Sequence, residues 1–165
     1  MSKIAYIGIG SNLGDKLGNC LKAIEQIKQL SGCKVITQSD FYRTEPVGVK
    51  GQDWYVNSVV ALLADISAQH LLNSLLEIEA EMGRKRKKKW DSRIIDLDLL
   101  LFGEDIIDEK DLKVPHPMMH LRRFVLVPMV TLAPDLVHPV LGRTIANLLE
   151  DFSDESQTVL SLQVA

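Results

Sequence analysis

Apolar residues recur along this chain with two different periods, and the switches between them divide it into strands and helices. Lys3 to Gly10 alternates and carries β-formers, which predicts a strand, and Gly10-Ser11-Asn12-Leu13-Gly14-Asp15 then reads as a tight turn. Beyond it Leu17, Cys20, Leu21, Ile24, Ile27 and Leu30 recur at three- and four-residue spacing, predicting an amphipathic helix that stops at Ser31-Gly32. Val35 to Thr44 reads as a second strand, Glu45 to Asp53 as a loop punctuated by Pro46, Gly48 and Gly51, and Tyr55 to Ala64 as a third strand. Ser67 is the expected N-cap of a second helix whose apolar face is Leu71, Leu72, Leu75, Ile78 and Met82, with Gly83 at its end. Ile94 to Phe102 reads as a fourth strand. A short hairpin around Ile106 to Val114, an apolar helix from about Phe124 to Leu132 and a short helix near Thr144 to Leu149 complete the pattern.

The order strand-helix-strand-strand-helix-strand predicts an α+β protein with a ferredoxin-like βαββαβ core, extended by a C-terminal hairpin and short helices. Such an architecture hosts many activities, so function has to be read from side chains. At 165 residues the chain has the size of one domain, expected to span 1–165. No segment approaches the roughly 20 uninterrupted apolar residues of a membrane span. The opening Met-Ser-Lys-Ile-Ala-Tyr lacks the order of a secretory signal, so the expected location is cytoplasmic. Cys20 and Cys33 lack Cys-x-x-Cys spacing and suggest neither a zinc ribbon nor a disulfide framework. A net charge of -3 argues against general nucleic-acid affinity, although Arg84 to Lys89 is an unbroken basic run and Glu104 to Asp111 is rich in acids.

Candidate chemistry concentrates in the fourth strand. Successive strand side chains point to opposite faces, so Asp96 and Asp98 share one face, and Ile95, Leu97, Leu99 and Leu101 are expected to form an apolar row on the other. Two carboxylates about 6–7 Å apart along a strand repel unless cations lie between them, and magnesium bound to nucleotide phosphates supplies such cations. Arg84, Arg86 and Arg93 bracket the adjoining loop, where guanidinium groups would grip phosphate oxygens and stabilise charge during phosphoryl transfer. Gly8-Ile-Gly10-Ser-Asn-Leu-Gly14 is not a dinucleotide fingerprint, because its third glycine would fall at Leu13, and it reads as a structural turn. No P-loop sequence exists, which leaves phosphate to side chains and metal. His116 and His120 have i,i+4 spacing, but Pro117 intervenes and no third zinc ligand is evident; contact with phosphate suits His116 better. Tyr55 and Asn57 share a strand face, where they could sandwich and hydrogen-bond a flat heterocycle or simply pack.

Taken together, Gly10-Ser-Asn-Leu-Gly14, Tyr42-Arg-Thr-Glu-Pro46, Gly83-Arg84, Trp90, Arg93-x-x-Asp96-Leu-Asp98, Leu101-Phe-Gly103, Val114-Pro-His116-Pro and Arg123-Phe-Val-Leu-x-Pro128 resemble the 6-hydroxymethyl-7,8-dihydropterin pyrophosphokinase family of folate biosynthesis, in order over nearly the whole chain. The resemblance implies transfer of the β,γ-diphosphate of ATP, as one unit, to the pterin hydroxymethyl oxygen, giving AMP and the pterin diphosphate. It implies two Mg2+ ions held by Asp96 and Asp98, one between the α- and β-phosphates and reaching the substrate hydroxyl, the other across the β- and γ-phosphates. By the same likeness Arg84 and Arg93 are catalytic, and Glu79, Arg86, Trp90, Leu99, His116 and Arg122 contact nucleotide or order the flanking loops. Thr44, Val47, Tyr55, Asn57 and Phe124 match the pterin pocket, with Asn57 setting specificity. The implied partners are ATP and the hydroxymethyl dihydropterin, with no nucleic acid and no membrane, and the protein is expected to act as a monomer. Met118, Leu121, Pro117 and Asp111 depart from residues common in relatives, which makes Lys110, Arg122 and Arg123 candidate substitutes on the triphosphate tail. The rival reading is an RNA-binding ferredoxin-like module using Arg84 to Lys89 as its basic patch; with 5% aromatic residues and only Tyr6 on the first strand, it lacks a stacking platform.

Overall fold

The protein is described by a computed structural model covering residues 2–46, 53–83, 94–154 and 156–162. β1 (Lys3–Ser11) runs into a turn in which Gly14 takes a positive φ of 72°, and Asp15 then caps α1 (Lys16–Lys28) by accepting the Gly18 N–H. The expected second strand is broken in two, β2 (Cys33–Gln38) and β3 (Tyr42–Thr44). At the break Ser39 turns its hydroxyl into the sheet, where it accepts the Val59 N–H at 2.9 Å and meets the Ser58 hydroxyl at 3.0 Å. β4 (Tyr55–Ala64) and α2 (Ala68–Glu81) follow, the helix capped by Ser67, which accepts the His70 N–H. β5 (Asp96–Phe102), a two-strand ribbon of β6 (Ile107–Asp108) and β7 (Lys113–Val114), a 3-10 turn (Met119–Leu121), α3 (Arg123–Leu132), α4 (Ile145–Glu150) and β8 (Val159–Ser161) complete the chain.

The result is a mixed α/β protein with an antiparallel sheet ordered β5-β1-β4-β3-β8, β2 pairing with β4 beside β3. α1 and α2 cover one face. There Cys20, Ile24, Ile27, Leu71, Leu75 and Ile78 pack on Ile7, Ile9, Val60, Leu62, Leu97 and Leu99 in one buried cluster. α3 and α4 cover part of the opposite face through Leu126, Met129 and Ile145, which meet Val59, Leu100 and Leu101. Burying each large aliphatic side chain contributes about 1.5–3 kcal/mol, so both clusters fix the strand register.

Leu101 departs from the expected apolar row. β1 and β5 pair Ile7 with Leu99 but Tyr6 with Leu101, so Leu100 is the extra residue of a bulge. Past that bulge the alternation inverts: Leu100 and Leu101 both join the α3 cluster, while Phe102 returns to the α1–α2 side. The row therefore ends at Leu99. β1 keeps Gly10 as its expected end and runs one residue further, taking Ser11 from the turn. β8, which adds to β3 by pairing Val159 with Thr44, has no counterpart in the expected pattern.

Candidate active site

Directly paired residues of antiparallel strands lie on the same face. Gly8 pairs with Asp98, and Gly10 pairs with Asp96 on one side and with Asn57 on the other. Tyr42 pairs with Asn57, and Thr44 with Tyr55. Every described residue expected at the pterin pocket on the sheet, together with both aspartates, thus falls on the α3 face, on the side toward β1's C-terminal end.

Along the outer edge of β5 lies a cleft of about 440 Å³, within the range of small-molecule sites. Glu79 of α2, Asp96, Asp98 and Leu99 of β5, His116 and Arg122 all line it. Glu79 is buried, and its Oε2 accepts the Leu97 N–H at 2.8 Å, tying the strand edge between the two aspartates. His116 ties the same strand from the other end, its backbone N–H donating to the Leu100 carbonyl at 2.8 Å. Leu99 belongs to the α1–α2 cluster and contributes wall.

Asp96 and Asp98 are both half-buried. The Arg122 Nη1 lies 3.7 Å from the Asp98 Oδ2, and the same guanidinium stands 5.6 Å from the centroid of the Phe124 ring. Arg122 is therefore the link between the carboxylates and the aromatic at the head of α3. His116 accepts the Met118 N–H on Nδ1 at 3.1 Å, so its neutral ring carries the proton on Nε2. Burial, and then the Arg122 charge, lower its pKa from 6.5 to about 4 against the pull of Asp96, so at neutral pH it offers a donor without a charge.

On the neighbouring strands Thr44 donates its hydroxyl proton to the Asn57 Oδ1 at 2.5 Å, and the Asn57 Nδ2 donates to the Ile9 carbonyl at 3.4 Å. Thr44 and Asn57 are both buried, so the amide is fixed in orientation, with the half-buried Tyr55 beside it.

Val47, Arg84, Arg86, Trp90 and Arg93 lie outside the described residues. Two contributors escaped the sequence. Lys113 joins Lys110 and Asp111 on the cleft wall, with its ammonium 2.5 Å from Asp108. The buried Gln157 accepts the Arg123 N–H on Oε1 at 3.0 Å and donates from Nε2 to the Leu121 carbonyl at 3.1 Å, clasping the backbone on both sides of Arg122. Neither contact has a periodic sequence signature, since the partners lie 34 and 36 residues apart.

Carboxylates, an arginine and a neutral imidazole line one cleft, beside a fixed amide and an aromatic, and groups of this class can bind phosphate and a flat ring. Comparison with known proteins narrows that class. The family model described as 7,8-dihydro-6-hydroxymethylpterin-pyrophosphokinase (HPPK) matches residues 6–134, and the chain belongs to this family. A 2-amino-4-hydroxy-6-hydroxymethyldihydropteridine pyrophosphokinase of Haemophilus influenzae is 40% identical over 157 residues, covering 95% of this chain and 98% of the relative. One from Methylorubrum extorquens is 41% identical over 146 residues, covering 88% of this chain and 90% of its own. Among solved structures, a Plasmodium falciparum HPPK-DHPS superposes with a TM-score of 0.75 at 16% identity over 91% of this chain. The chain spans only 45% of that larger protein, and the likeness bears on the fold alone. No described helix is long and apolar enough to cross a membrane.

Proposed function

We propose that this chain transfers the β,γ-diphosphate of ATP, as one unit, to the hydroxymethyl oxygen of 6-hydroxymethyl-7,8-dihydropterin, a step of folate biosynthesis. The carrying observation is the row Asn57-Gly10-Asp96 across three adjacent strands. At about 4.8 Å per strand, the heterocycle-reading amide and the first carboxylate stand roughly 10 Å apart on one face, a span that a bound pterin and its hydroxymethyl arm can bridge. In the reaction the pterin oxygen forms a bond to the β-phosphorus and loses its proton. The bond from that phosphorus to the oxygen bridging to the α-phosphate breaks, and this oxygen leaves on AMP.

The donor set fits magnesium. Asp96 and Asp98 are hard oxygen donors at the cleft. Nucleotide-bound magnesium is commonly held by one or two carboxylates, the phosphates and water filling the remaining positions. We assign Asp96 and Asp98 to two such ions, which when bound would offset phosphate charge and acidify the substrate hydroxyl. Glu79 holds the strand that carries both carboxylates. Arg122 and the His116 Nε2–H supply donors for phosphate oxygens. Asn57, oriented by Thr44, reads the pterin edge, with Tyr55 and Phe124 against the ring. Arg84 and Arg93 as catalytic groups, Arg86 and Trp90 as nucleotide contacts and Val47 in the pterin pocket rest on sequence likeness.

The strand order fourth-first-third-second supports the ferredoxin-like description of the core, counting β2 and β3 as one broken strand. We place the whole of 1–165 in a single catalytic domain, acting as a monomer without nucleic acid. The free thiols of Cys20 and Cys33 suit the reducing cytoplasm. Incubation with ATP, magnesium and the hydroxymethyl dihydropterin, followed by chromatography, is expected to give AMP and pterin diphosphate in equal amounts. ADP as product, or no turnover, would overturn the proposal.

A further inference from the structure

Glycine weakens a strand interior, so two of them at alternate positions of β1, Gly8 and Gly10, need a reason. Backbone conformation does not supply it, because neither has a positive φ. Space supplies it at only one of them. A Cβ built on Gly8 would lie 3.6 Å from the Leu100 side chain, an ordinary contact. On Gly10 it would lie 2.6 Å from the Asn57 Nδ2 and 3.5 Å from the Tyr55 ring. That amide cannot easily retreat, since the Thr44 hydroxyl holds its oxygen at 2.5 Å and the Ile9 carbonyl meets its nitrogen at 3.4 Å.

We infer that Gly10 is a specificity-determining position: its missing side chain lets the Asn57 amide lie against β1 in the orientation that reads the heterocycle. The inference rests on the assignment of Thr44, Tyr55 and Asn57 to the pterin pocket. An alanine at 10 pushes the amide outward, breaks its bond from Thr44 and obstructs the bare strip of strand between Asn57 and Asp96. Nucleotide binding, on the outer edge of β5, is left alone. The expected signature is therefore a selective loss of pterin affinity.

The test compares wild type, Gly10→Ala and Gly8→Ala by calorimetry with 6-hydroxymethyl-7,8-dihydropterin and, separately, with magnesium and a non-hydrolysable ATP analogue. Gly10→Ala is expected to weaken pterin binding by about tenfold or more, the scale of one lost polar recognition contact, with analogue binding unchanged. Gly8→Ala is expected to bind both like wild type. Unchanged pterin affinity in Gly10→Ala overturns the inference. Should Gly10→Ala fail to fold, Asn57→Ala and the double variant Gly10→Ala/Asn57→Ala decide it. With the amide gone, the glycine substitution is expected to add almost nothing, and a further large loss of affinity overturns the role. Wild-type protein that does not bind the pterin would instead defeat the pocket assignment itself.

Discussion

On the face turned to α1 and α2, β1, β4 and β5 present Ile7, Ile9, Leu62, Leu97 and Leu99, all buried in one cluster. On the other face the same strands present Gly10, Asn57, Asp96 and Asp98, opposite in parity to those apolar residues. α3 covers only part of that second face, and the candidate site residues lie beside the covered part. The difference shows how a sheet divides labour by parity. One face fixes the register through burial, and the register then sets which polar residues share the other face.

This division can be broken from either side. The largest expected effect is on the polar face: Asp98→Ala is predicted to lower turnover by about a thousandfold, as removal of a group stabilising transition-state charge does, with its melting temperature near that of wild type. A joint loss of activity and stability would show that the two faces are not separable. On the packed face Leu62→Ala is expected to cost ~2–5 kcal/mol of stability in denaturant titration while its folded fraction turns over normally. Smaller is Arg122→Ala, predicted to weaken ATP binding by about tenfold through loss of a charged donor. Gln157→Ala is expected to give a weaker form of the same defect, because Gln157 reaches Arg122 through the backbone on either side of it. Equilibrium binding of the nucleotide ranks the two.

The smallest effect concerns pH. Burial lowers the pKa of both His116, to about 4, and His138 from 6.5. Between the folded and unfolded values the unfolded chain binds protons that the folded protein does not. The His116 contribution to stability is therefore complete above about pH 6.5 and lost as pH falls toward about 4, and that of His138 is lost in the same direction. Denaturant titrations across that window are expected to lose part of this slope in His116→Gln.

Much of the arrangement was legible in the sequence because it is written in local periodicity. Tyr55–Ala64 forms a strand with the expected bounds, and Ser67 caps α2 as its hydroxyl and position require. The shared face of Asp96 and Asp98 follows from the period of two. Leu101 was misplaced because a one-residue bulge inverts parity and leaves no compositional mark. Gly10 reads both as the end of a strand and as the start of a turn, because glycine punctuates turns far more often than it clears space in a strand. The break at Ser39, the Leu97 bond to Glu79 and the Gln157 clasp all depend on side-chain hydrogen bonds between distant segments, which pattern reading does not see.

The proposed placement of pterin and nucleotide is settled by a crystal structure with magnesium, the pterin substrate and an ATP analogue whose α,β-bridging oxygen is replaced by methylene. The pterin edge is expected on the Asn57 amide, with its hydroxymethyl arm crossing Gly10 toward Asp96 and the β-phosphate beside the two carboxylates. A pterin bound away from Asn57, or a triphosphate seated clear of Asp96 and Asp98, would contradict it.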